Sequence, residues 1–321
     1  MSIKLLKDDV KSGKLSPDQA VAEAQKRLTQ GISHGLKTKR KYVPEPHEKQ
    51  LERLRADKGL RDWAQQHAIP FIDGPTFQDF KLVQGLYLIG AVSGQGKSTA
   101  AANIISGYLT ADRPGKKVYV ISNEEMADAV LGRVACIESK VSYNDYKHKR
   151  LSRHTLQEID DLSELLLQRV HVVNNPTFDM SCLEDVQAVL EYAQESGDVD
   201  MVMVDYFQTI DRSKDDEGME SFRVHKIMGS YLKDYGRKYA VPVLAFAQLR
   251  PEAEGSHFKV RIENDRTVYN HAFGAVEIIP NFETGQTTFK IWKDRFGEVQ
   301  GKEIEMRFEK GRYIAQHEDS V

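Results

Sequence analysis

The stretch that most limits what this chain can become is "AVSGQGKST" (91–99), set directly after the apolar run "LYLIG". Three small or flexible positions, a lysine and two hydroxyls follow what reads as a buried strand. The helix-forming segment "AAANIISGYL" comes next. A strand, a glycine-bearing loop and a helix in that order form a phosphate-binding P-loop. Glycines let successive backbone N–H groups turn inward around an anion, and the helix N-terminus adds partial positive charge. Ser93, Gly94, Gln95, Gly96, Lys97, Ser98 and Thr99 are therefore the candidate nucleotide-binding residues. Lys97 reaches the β- and γ-phosphates and Ser98 ligates magnesium. Ala91 stands where such loops more often begin with glycine.

A P-loop constrains the rest of the chain to an α/β layout, and the apolar runs comply. They are "LYLIGAV" (86–92), "KVYVIS" (117–122), "VHVVN" (170–174), "MVMVDYF" (201–207) and "VPVLAFAQ" (241–248). Each is rich in β-branched or aromatic residues and too short for a helix, and helix-period segments at 124–138, 181–195 and 219–239 lie between them. Continuous apolar strands alternating with helices imply a mostly parallel central sheet with helices on both faces. The tail, "QTTFKIWKD" (286–294) and "KEIEMRFEKGRYIA" (302–315), reads as antiparallel strands extending that sheet. Residues 264–281 receive no element.

The first part of the chain has a different texture. "LSPDQAVAEAQKRLTQGI" (15–32) opens with Ser16 as N-cap, Pro17 at the first helical position and Gln19 closing a capping box. A basic, proline-marked linker follows at 34–49, then a second helical stretch at 48–68. The expected division is a helical extension over 1–69 and the P-loop domain over 70–321. The first helix reads either as part of a solvated connector or as a segment that docks on a neighbouring subunit.

Bulk properties narrow the class. A net charge of −3 over 321 residues gives no overall basic field, although a ring can line its inside with a few basic loops. No signal peptide and no membrane span are visible, and Cys136 and Cys182 lie far apart, arguing against zinc and for a reducing compartment. A cytoplasmic setting without membrane partners is the expectation.

A nucleotide-hydrolysing P-loop needs one acid for the metal and another for the water. Asp205 emerges at the end of "MVMVD", where open α/β sheets bind ligands. Glu124 and Glu125 close the strand next to the P-loop's own, and Glu124, first off the strand, is the candidate to orient or deprotonate water. Gln248 ends an apolar strand, either as a γ-phosphate sensor or as a strand-end cap. The loop 250–270 carries Arg250, Lys259, Arg261 and Arg266 with Phe258 and Tyr269 interleaved. That combination suits single-stranded nucleic acid, and equally a solvated crossover. The acidic loop 211–222 offers only Arg212 and Lys214.

In their order, the P-loop, "ISNEEM", "VDYFQTI", "AFAQLR" and "KDRFG" resemble the RecA-like ATPase domain of the hexameric DnaB-type replicative helicases, over about residues 70–315. The resemblance implies that ATP and Mg²⁺ are bound by Lys97 and Ser98, that Glu124 is the catalytic base and that Asp205 is the Walker B acid. It implies that Gln248 senses the γ-phosphate and that Lys293 and Arg295 act in the next subunit's site. A homohexameric ring translocating on single-stranded DNA, meeting primase, polymerase or a loader, is what the family implies. The usual N-terminal collar or primase domain has no counterpart in these 85 or so preceding residues. Residues 264–281 echo the family's pattern only loosely. A nucleotide-gated DNA-remodelling or loading ATPase, and a RadA- or RecA-like recombination ATPase, are the alternative readings.

Overall fold

The computed structural model describes residues 12, 16, 46–66, 68–72, 77, 79–110, 113–173, 178–251, 257–262, 266–295 and 299–315. The helix expected at 15–32 lies outside them. The chain divides into two units, Met1–Ala56 and Asp57–Val321. Helix α1, His47–Gln66, covers most of the stretch read as helical at 48–68. Among the described residues no helix is long and apolar enough to cross a membrane.

Two short strands, β1 (Ile69–Pro70) and β2 (Lys81–Leu82), pair antiparallel ahead of the main sheet. The main sheet has nine strands. Five follow the apolar runs closely: β3 (Gly85–Val92), β4 (Lys117–Ser122), β5 (Val170–Val173), β6 (Val199–Asp205) and β7 (Pro242–Leu249). Then come β8 (Gly274–Asn281), β9 (Gln286–Asp294), β10 (Glu303–Glu309) and β11 (Arg312–Ala315). The spatial order is β11-β10-β9-β8-β3-β7-β6-β4-β5. The six strands from β8 to β5 run parallel, and β9 to β11 are antiparallel.

Two expectations need correcting. The stretch 264–281 holds a sheet strand, β8, hidden in the sequence because Glu277 interrupts its apolar run. The strand carrying Glu124 is not beside the P-loop strand, since β7 and β6 stand between β3 and β4. The last parallel strand but one in chain order was inserted at the sheet's centre, which chain order cannot reveal.

Burial on both faces explains the continuous apolar runs. Met201 and Met203 of β6 pack into one cluster, with helices α2 (Lys97–Leu109) and α3 (Ala127–Glu138). After α3 come the short α4 (Tyr143–Lys147) and α5 (Arg153–Leu166), whose Ile159 and Leu166 join the same cluster. Val202 and Val204, pointing the other way, join a second cluster with α6 (Leu183–Glu195) and α7 (Ser221–Lys238). Strand side chains alternate between faces, so a strand covered twice must be apolar throughout. Each fully buried aliphatic side chain contributes about 1.5–3 kcal/mol.

Candidate nucleotide site

The carboxyl ends of β3, β7, β6 and β4 lie along one edge of the sheet. Register aligns them: Ala91 is level with Gln248, and Ser122 with Asp205. From β3 the chain turns through residues 93–96 into α2. Gly96 caps that helix in the left-handed region at φ 95°, a conformation an L side chain rarely adopts. No side chain caps α2, as none caps α3, and its first N–H groups lie at the turn of the glycine loop. Lys97 is buried, its Nζ 5.5 Å from the centre of the Tyr206 ring. Ser98 and Thr99 are half-buried, while Ser93 and Gly94 are exposed.

Asp205 ends β6 at only 6 % exposure, and its Oδ1 has no hydrogen-bond partner. Burial, then the charges of Glu124 and Glu125, push its carboxyl up to about 7 against the opposing pull of Lys97 and Arg133. A buried acid oxygen without a partner costs about 1–3 kcal/mol. A divalent cation removes that cost, because it favours the charged carboxylate. The orphaned oxygen, the uncapped helix and the buried lysine together fit a nucleotide with its metal.

Beyond β4, the Ser122 hydroxyl accepts the N–H groups of Glu124 (3.2 Å) and Glu125 (3.0 Å), which fixes the turn. The two glutamates then differ. Glu125 accepts from Arg133 at 2.6 Å, and that guanidinium also lies 4.3 Å from the Tyr143 ring. Glu124 is exposed. Asn123 ties this turn to the one after β6, through Thr209 Oγ1 (3.1 Å) and the Asp205 carbonyl (3.3 Å).

Gln248 is half-buried near the end of β7, and its backbone is held by a residue that motif reading missed. Gln208 donates its Nε2 to the Gln248 carbonyl (3.0 Å) and accepts the Gln248 N–H at Oε1 (3.2 Å). The sequence signal was a polar residue directly after Tyr206 and Phe207.

The basic loop divides. Arg250 and Arg266 are exposed, and Lys259 donates to Asn270 Oδ1 at 2.9 Å. Arg261 instead forms an ion pair with Glu277, which is 3 % exposed and also accepts from Trp292 Nε1 at 2.7 Å. Its guanidinium is occupied in stabilising a buried carboxylate, so it does not present itself to a phosphate in this arrangement. Phe258 is fully buried, packed so closely on Gly90 that a Cβ there would collide with its ring; that burial removes it as a base-stacking surface. Tyr269 is half-buried. In the acidic loop, Arg212 pairs with Asp179 (2.9 Å) and Lys214 with Asp185 (2.6 Å). Both cations thereby fasten the loop to the start of α6.

Lys293 and Arg295 stand at the end of the antiparallel β9. There Lys293 is level through Ala275 with Leu88, and Asp294 through Gly274 with Tyr87, toward the start of β3 and away from the carboxyl end that carries the P-loop. Lys293 donates to the Tyr269 carbonyl (2.7 Å) and Arg295 to the Asn270 carbonyl (3.2 Å). Burial, then Arg295 and Lys259 nearby, lower the Lys293 amine to about 8.

A parallel sheet with a P-loop and a buried acid on one carboxyl edge, extended by antiparallel strands, defines a RecA-like P-loop nucleotide-binding domain. The description "DnaB-like helicase C terminal domain" matches residues 80–262, more than half of the chain. The chain belongs to that helicase/ATPase family. The replicative DNA helicase DnaB of Mycoplasma pneumoniae is 23 % identical over 175 residues, 53 % of this chain and 36 % of that protein. The protein of the same name from Mycoplasma genitalium is 23 % identical over 172 residues, with the same coverage. The match thus spans about a third of these relatives' length. Among solved structures, one ATPase domain superposes with a TM-score of 0.59 at 14 % identity, covering 72 % of this chain and 84 % of that one. A DnaB-like replicative helicase studied for its interactions with primase gives a TM-score of 0.61 at 14 % identity, covering 97 % and 74 %. These superpositions support the fold.

Proposed function

We propose that the chain is the ATP-hydrolysing motor of a ring-forming DNA helicase that moves on single-stranded DNA. The observation that carries this reading is the buried Asp205 oxygen without a partner, on the same edge as Lys97 and the uncapped start of α2. Residues 93–99 would hold the triphosphate, with Ser98 and Asp205 on the Mg²⁺ side. The metal, when bound, neutralises charge developing on the phosphates. Lys97 contributes a fixed cation in a dry environment, where electrostatic stabilisation is strongest. Glu124, exposed while Glu125 is held by Arg133, would orient water or accept its proton. Gln248 offers a neutral amide to the γ-phosphate.

In this reading Lys293 and Arg295 complete the site of a neighbouring copy, so each site needs two subunits. A homohexameric ring is the assembly proposed, with Arg250, Lys259 and Arg266 as the DNA-facing cations and primase, polymerase or a loader as partners. The test is displacement of a strand from a forked duplex with a 5′ single-stranded tail, with ATP and magnesium, comparing the natural sequence with Lys97→Ala. Displacement by the natural sequence alone supports a motor. Hydrolysis without displacement overturns the motor in favour of a remodelling, loading or recombination ATPase.

A further inference from the structure

The pairing of β6 with β7 stops at Val204 and Ala245, three residues before Gln248. Beyond that point β7 keeps its pairing with β3, through Gln248 and Leu249, while β6 turns away into a 3₁₀ turn at Phe207–Thr209. In a strand the N–H and C=O of one residue point to the same side, so Gln248 faces a place where no strand stands. Gln208 fills that place with its side chain. Its carboxamide meets both backbone groups of Gln248 at 3.0 and 3.2 Å, and the residue is 7 % exposed.

We infer that Gln208 is a positioning residue that sets the direction of the Gln248 side chain and links it to the Asp205 turn. This rests on the reading of Gln248 as a γ-phosphate sensor. Only a primary amide of this length matches a donor and an acceptor on one backbone residue at once. Two contacts fix rotation where one would leave a swivel. The turn is itself held from two further sides. The Gln208 carbonyl lies 3.2 Å from Nε2 of the buried His225 on α7, and Thr209 accepts from Asn123 in the Glu124 turn. The turn therefore touches the neighbours of the metal acid, the water-orienting acid and the sensor. A shift at any one of them is felt at the other two.

The test uses the full chain with Gln208→Leu, Gln208→Glu and Gln248→Ala. Affinity for a fluorescent, non-hydrolysable ATP analogue and the kcat and KM of hydrolysis are measured with and without single-stranded DNA, well below each variant's Tm. With Gln208→Leu we expect analogue affinity and KM within about twofold of the natural sequence and a kcat about tenfold lower, the equivalent of ~1.4 kcal/mol. Gln208→Glu keeps the acceptor but faces the Gln248 carbonyl with a second acceptor. Its kcat deficit should shrink as the pH falls, because a protonated carboxyl donates again and burial favours the neutral form. This variant carries the test if Gln208→Leu does not fold. A kcat within twofold of the natural sequence for the folded Gln208 variants, with Gln248→Ala impaired, overturns the clamp and leaves the sensor reading standing. If Gln248→Ala is also unimpaired, both are overturned.

Discussion

The carboxyl edge of the parallel strands and the antiparallel arm treat charge in opposite ways. At the edge, Asp205 keeps a buried oxygen without a partner and a carboxyl raised to about 7, and the helix after the P-loop starts without a cap. In and beside the arm, Arg261 is matched by Glu277, Trp292 donates to the same carboxylate, and Lys293 and Arg295 rest on loop carbonyls. A polar group that a protein buries unpaired costs stability, which makes this edge the candidate ligand site. The cations in and beside the arm are satisfied within one chain. Charged residues thus differ in their partners: those of the arm are matched within the chain, and the Asp205 oxygen is not.

The largest effect that would sharpen this comparison is at Lys97. Lys97→Ala should lower ATP hydrolysis by about 10³-fold or more while leaving the Tm nearly unchanged. Retained hydrolysis would break the assignment of the edge as a site. Next comes Arg295→Ala, expected to reduce kcat by about 10²-fold with ATP affinity intact, because its own chain's edge is untouched. Mixing it with Lys97→Ala subunits should restore part of the activity, and no recovery at any ratio would argue against action between subunits.

Arg261→Ala tests the opposite kind of charge. It should destabilise the fold by about 3–5 kcal/mol in denaturant titrations, since Glu277 would remain buried without its cation. A change within ~0.5 kcal/mol would return Arg261 to the candidate DNA contacts. Asp205→Asn should move stability in the other direction, by about 1–3 kcal/mol near pH 7 and above. The sign follows from the raised carboxyl. Below its ordinary value of 3.8 the group is protonated in both folded and unfolded chains and costs nothing. Between there and about 7 only the unfolded chain ionises, so stability is lost as the pH rises through that window and stays lost above it. Melting curves of the unliganded proteins across this range check it, and a pH-independent difference would contradict the buried, orphaned acid. The smallest effect is at Arg250 and Arg266. Each alanine variant should leave stability within ~0.5 kcal/mol and lower the salt dependence of single-stranded DNA binding by about 0.7 in the log–log slope.

Much of the fold was legible along the chain. Five of the six parallel strands follow their apolar runs to within one or two residues, because burial on both faces keeps them mostly apolar; the exposed His171 lies in β5 at the sheet's edge. The exception, β8, contains Glu277, and nothing near it in sequence announces that Arg261 and Trp292 will meet it. The phosphate loop was equally plain, since strand, glycines, lysine and helix are contiguous. The basic loop was not. Arg250 and Arg261, or Phe258 and Tyr269, look alike in sequence, and exposure alone distinguishes them.

By itself, then, the sequence determined the local units: the P-loop between β3 and α2, the acid at the end of β6, the glutamates after β4 and the alternation of apolar strand and helix. Those depend on neighbours a few residues away. Tertiary structure alone decided that β7 enters between β3 and β6, that Glu125 is taken by Arg133 while Glu124 is left exposed, and that Gln208 clasps Gln248. It also decided that Arg261 pairs with Glu277. The physical reason is the same in each case: whether a polar group is satisfied depends on what stands opposite it in space, and distant segments supply that partner.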